Sequence, residues 1–167
     1  MPSEQPDTPR NTGLDASMGA SMDASMDAGL TGRCYCGAVT FRTRRPPLSV
    51  VYCHCTDCRR WTGSPVSVFA GFDAQAVSAE PGFGTQISIN PGVDRWHCPT
   101  CGARIAARYD YLPGQIYIPV GIFDQPSKLA PTIHAHVQNA VAWLPLDDGL
   151  PRAQGSARET LNAASEG

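Results

Sequence analysis

Seven cysteines fall into three tight groups. Cys34 and Cys36 form a CxC; Cys53, Cys55 and Cys58 form a CxCxxC; Cys98 and Cys101 lie inside CPTCG. Thiolates are soft ligands, and clusters of this spacing in a chain kept reduced point to metal rather than to disulfides. A structural zinc site closes a tetrahedron with four ligands, whereas a catalytic site keeps three and leaves one position open. The CxC and the CPTCG pair together supply four. In a strand, side chains two apart share a face, so Cys34 and Cys36 are expected to chelate side by side. CPTCG reads as a turn aiming two sulfurs at one point, with Gly102 allowing backbone N–H groups close to sulfur. Joining residue 34 to residue 101 closes a long loop, and such a zinc clip contributes on the order of 10 kcal/mol to folding. Cys53, Cys55 and Cys58 are left over, and three is the count of an open site.

A rival partition pairs Cys55 and Cys58 with Cys98 and Cys101 as a ribbon, which strands Cys34, Cys36 and Cys53. The intervening length is long for that motif. A third reading takes the central three as buried apolar thiols.

The residues around the central cluster suggest its chemistry. Three thiolates give a zinc ion a net charge of about −1, which suits exchange of a fourth, incoming sulfur better than activation of water. Arg59 and Arg60 follow Cys58 directly, and guanidinium forks bind carboxylates in pairs. His54, between two ligands of an extended segment, is expected to point away from them. His134 and His136 share the polar face of a strand and carry no assigned role, nor does Asp57. Trp61, Trp96 and Trp143 read as core or pocket wall.

The elements that must position these groups read as β. AVTFR, TQISIN, GQIYIPV and TIHAHV alternate apolar and polar residues with period two. RRPP, EPGFG, NPG, LPG and FDQPS separate them as turns. Short strands with frequent turns predict a mainly β fold of antiparallel sheets, folded over or stacked. One helical turn is expected around CRRWTG.

The 167 residues suit one domain, flanked by tails at 1–30 and 153–167. In the first, ASMGASMDASMDA places Met18, Met22 and Met26 four apart. A lone helix this short is marginal in water, so a disordered low-complexity tail is expected. A net charge of −2 gives no basic excess for nucleic acid. No apolar run reaches membrane-spanning length. The N-terminus lacks the charged and apolar regions of a secretory signal, so a cytoplasmic setting is expected.

GRCYCGAVTF, CHCTDCRRWTGSP, HCPTCGARI, VGIFDQPSKLAPTIHAHV and DGLP resemble the glutathione-dependent formaldehyde-activating enzyme family, the centromere protein V/GFA domain, over residues 31–152. His97, before CPTCG, departs from the apolar or aromatic residue expected there. The resemblance implies a β-tent of antiparallel sheets held by zinc, with two ions per chain. It implies a structural zinc on Cys34, Cys36, Cys98 and Cys101, and a catalytic zinc on Cys53, Cys55 and Cys58. It further implies carbon–sulfur lyase chemistry that joins glutathione and formaldehyde, or a similar thiol and aldehyde, into an S-hydroxymethyl adduct. The alternative is a non-catalytic zinc β-module that carries glutathione or binds a protein. The thiol and aldehyde are the only partners expected; no oligomeric state follows.

Overall fold

The computed structural model describes residues 29–159. The Met repeat and most of both expected tails lie outside that range. The strands are β1 (Thr31–Arg33), β2 (Thr40–Thr43), β3 (Ser49–Cys53), β4 (Ser67–Asp73) and β5 (Val77–Glu80). They continue with β6 (Thr85–Ile87), β7 (Val93–His97), β8 (Arg104–Tyr109), β9 (Gln115–Pro119) and β10 (Ile133–Ala135). The complete α-helix among the described residues is α1 (Thr56–Thr62), between β3 and β4. No helix among the described residues is long and apolar enough to cross a membrane.

The strands form a small sheet in the order β1-β2-β5 and a larger one in the order β10-β3-β4-β9-β8-β7-β6. Pairing is antiparallel except between β3 and β10, where Val51 lies beside Ile133 and Cys53 beside Ala135. The fold is therefore mainly β, as expected. The parallel pair is possible because a long excursion separates β3 from β10; a tight hairpin cannot make one.

The alternation of AVTFR holds: Val39 and Phe41 are buried. GQIYIPV buries Ile116 and Ile118 as expected, but Tyr117 on the other face is covered too. β9 lies between β4 and β8 with packed material on both faces. TQISIN departs further. β6 pairs only with β7 at the sheet's edge, and Ile89 is 84% exposed. Nothing among the described residues covers that face, so alternation there does not translate into burial.

Two apolar clusters result. The larger, between the sheets, holds Phe72, Ile105, Ile116 and Ile118 together with Cys34 and Cys98. The smaller holds Val51, Phe69, Ile133 and Ala157 together with Cys53 and Cys58. Each cluster thus carries its own set of cysteines. The packed chain also runs past residue 152: the Ala153 N–H donates to the His134 carbonyl, and the His136 N–H to that of Gly155.

Candidate metal centres and the cavity at the three-cysteine cluster

The Sγ atoms of Cys34, Cys36, Cys98 and Cys101 lie within 4.8 Å of one another. Cys34 and Cys36 sulfurs are 3.5 Å apart, and those of Cys36 and Cys98 3.8 Å. A tetrahedron of sulfurs at the usual Zn–S distance of about 2.3 Å has edges of ~3.8 Å, so the set fits a closed zinc site. The local route differs from the expected strand pair. β1 ends at Arg33, and Cys34 and Cys36 lie on the turn that follows. The Cys34 carbonyl accepts from the Gly37 N–H, and its sulfur from the Val39 N–H at 3.2 Å. The turn, not a pleated face, brings the sulfurs together, and it buries Cys34 while leaving Cys36 exposed. CPTCG behaves as expected. Gly102 takes φ 72°, which closes the turn, and its N–H donates to the Cys98 carbonyl. A backbone N–H from Ala103, then the Cys36 group, pulls the Cys101 thiol down to about 6.

Cys53, Cys55 and Cys58 form the second cluster, again with sulfurs within 4.8 Å. Cys53 ends β3, held between β4 and β10. Cys55 is the N-cap of α1: its sulfur accepts from the Cys58 N–H at 3.1 Å, where Ser or Asp usually serves. Gly63 ends the helix in the left-handed region at φ 74°. One short helix thus orients two of the three sulfurs. Hydrogen bonding with Cys53 and then Cys58 pulls the Cys55 thiol down to about 2, while the same contacts push Cys53 up. Three sulfurs this close share negative charge, the demand that a cation answers. The rival ribbon of Cys55, Cys58, Cys98 and Cys101 does not form as a group, because those pairs belong to separate clusters.

The two clusters differ in access. Cys53, Cys55 and Cys58 line a cavity of about 470 Å³. Tyr109, from the end of β8, places its hydroxyl 3.8 Å from the Cys58 sulfur. Desolvation, then the Cys58 thiolate, holds that phenol well above its ordinary value, so it stays protonated as a donor. His136 also lines the cavity and sits in the left-handed region at φ 58°, a strained conformation for a residue with a Cβ. Asp57 faces the cavity but is already engaged. Arg95 holds both its oxygens, Asn90 donates to it at 2.9 Å, and Arg95 lies over the Trp61 ring.

The arginines that follow Cys58 are placed elsewhere. Arg59 donates to the Asn139 carbonyl at 2.8 Å, Arg60 is exposed, and neither lines the cavity. Among the described residues the arginine that lines it is Arg158, beyond the expected domain end; it donates to the Tyr111 carbonyl at 2.9 Å.

His54 points away from the sulfurs, as expected, but into the interior. Its Nε2 lies 2.9 Å from Nδ1 of His134, and Nε2 of His134 lies 3.0 Å from both oxygens of Asp148. His134, expected on a polar face, is fully buried. The carboxylate fixes the tautomer: His134 Nε2–H donates to Asp148, so Nδ1 accepts from His54 Nε2–H. Tyr52 stacks on the His134 ring at 4.7 Å. Of these contributors, Tyr109, His136, Arg158 and the His54–His134–Asp148 chain were missed in the sequence. The histidines were visible as residue types, but their partners lie up to 80 residues away in the chain.

The family described as glutathione-dependent formaldehyde-activating enzyme matches residues 29–139. A crystal structure of a Rhodobacter sphaeroides protein, a structural-genomics target, is similar with a TM-score of 0.47 and 20% identity, covering 74% of this chain and 98% of that one. No curated protein matches the chain.

Proposed function

The chain belongs to the glutathione-dependent formaldehyde-activating enzyme family, and on that premise we propose that it is a zinc-dependent carbon–sulfur lyase joining glutathione, or a similar thiol, to an aldehyde. Cys53, Cys55 and Cys58 would hold the catalytic zinc, and Cys34, Cys36, Cys98 and Cys101 a structural one. When bound at three thiolates, zinc supplies a soft, open position that favours an incoming thiol in its deprotonated form. The observation that carries the reading is the cavity: the three-sulfur cluster opens onto a space large enough for a small molecule.

The reaction forms one bond between the thiol sulfur and the carbonyl carbon. The carbonyl π bond is given up, and the thiol's proton ends on the oxygen as a hydroxyl. The chain's own groups divide that work. Tyr109, held protonated beside Cys58, donates a hydrogen bond at the sulfur cluster and orients what binds there. His136 lines the same wall, beside the space in which the thiol and the aldehyde meet, and can pass the proton between them. Arg158 is placed to meet a carboxylate of the thiol, a charge-assisted contact. The expected role of Arg59 and Arg60 reduces to anchoring α1 and to an outer, solvent-side contact.

The test is exchange spectroscopy by NMR with ¹³C-formaldehyde and glutathione. The zinc-loaded protein is expected to accelerate interconversion of formaldehyde and the adduct. A rate equal to the spontaneous reaction would leave a non-catalytic module that carries the thiol.

A further inference from the structure

The walls of the cavity do not match a one-carbon aldehyde. Val51, Phe69, Tyr117, Ala135 and Ala157 line it as buried apolar surface beside the sulfurs of Cys53 and Cys58. The apolar lining continues outward. Leu48 is 60% exposed and Tyr111 48% exposed, and both line the same cavity. Apolar side chains at the surface are informative where they continue the lining of a cavity, since contiguous apolar surface marks ligand-binding grooves. The charged groups are few. Asp57 is committed to Arg95 and Asn90, which leaves Arg158 as the cation lining the cavity among the described residues. A space of about 470 Å³ has the volume of about sixteen waters at ~30 Å³ each. The single carbon of formaldehyde covers almost none of that surface. Each further CH₂ buried against such walls raises affinity about fourfold.

We propose that the aldehyde used at this site carries an apolar alkyl or aryl group, lying along the wall from the sulfur cluster to Leu48 and Tyr111. The inference rests on the thiol–aldehyde reading above and names its substrate class. The reaction stays balanced. An aldehyde R–CHO and a thiol R′–SH give R–CH(OH)–SR′, with the C–S bond formed, the carbonyl π bond lost and the thiol's proton on oxygen. R occupies the apolar wall, and a carboxylate of R′ faces Arg158.

The experiment uses the full, zinc-loaded chain and titration calorimetry with two thioethers. S-methylglutathione mimics the one-carbon adduct and S-hexylglutathione the apolar one. S-hexylglutathione is expected to bind at least 30-fold more tightly. Leu48→Ser and Tyr111→Ala, both at exposed positions that folding tolerates, are expected to lower S-hexyl affinity about five- to tenfold and to leave S-methyl affinity within twofold. Equal affinity for the two ligands, or rim substitutions that weaken both alike, would overturn the proposal. Formaldehyde exchange in the same preparation separates the two readings. Equal affinities with catalysed exchange remove only the apolar substrate class. Tight S-hexyl binding without any thiol–aldehyde exchange supports the apolar site and removes the lyase reading.

Discussion

Two cysteine clusters of one chain differ in almost everything but their chemistry. The four-cysteine cluster joins the turn after β1 to the turn between β7 and β8, 67 residues from Cys34 to Cys101 by their numbering. Cys34 and Cys98 are buried in the main core with Phe72 and Ile105. The three-cysteine cluster spans residues 53 to 58 and opens onto a cavity. The ligand type is the same in both. Chain separation and surroundings distinguish them: one set joins distant parts of the chain and leaves Cys36 exposed, and the other is local and lines a cavity.

The largest test of that contrast is Cys98→Ser. It opens the long clip and removes on the order of 10 kcal/mol, comparable to the whole stability of a domain. Thermal unfolding should lose its cooperative transition. Cys55→Ser should differ. A serine oxygen caps α1 in place of the sulfur, so the helix start survives. Stability should fall by about 1–2 kcal/mol while adduct formation disappears, which paired melting curves and exchange rates would reveal. If Cys55→Ser unfolds the chain as badly as Cys98→Ser, the division of roles fails.

A smaller effect sharpens the open side. Arg158→Ala should weaken glutathione binding by about 1.5–3 kcal/mol with both metals retained, the loss of a charged hydrogen bond. Arg59→Ala should shift glutathione affinity by less than about 0.5 kcal/mol, because its guanidinium faces the Asn139 carbonyl. Calorimetry on the two variants orders them, and the reverse order would return carboxylate recognition to the residues after Cys58.

The contrast also explains what the sequence showed. Each short cysteine motif was legible because a tight turn converts near neighbours in the chain into near neighbours in space, whereas the meeting of Cys34 and Cys36 with Cys98 and Cys101 was reached from the count of ligands that a closed site needs. Strand alternation was legible in β2, where one face is buried. It misled at Ile87 and Ile89, since an edge strand can alternate with nothing packed against it. The turn at Cys34 was read as strand because a CxC chelates in either conformation. Tyr109 and the buried His134 had no signal. Each acquires its role from a partner distant in the chain: Cys58 for Tyr109, His54 and Asp148 for His134. Arg158 was hidden by composition, since polar, small residues after 152 look like a tail.

The central claim, one closed and one open centre, is tested most directly by metal analysis during graded chelation. Zinc per chain should be two at the outset. Mild chelator should remove one ion first, and glutathione-dependent exchange should vanish at that step while the cooperative thermal transition remains. The second ion should leave only together with that transition. Release of both ions in a single step, or loss of the thermal transition with the first, would contradict the account.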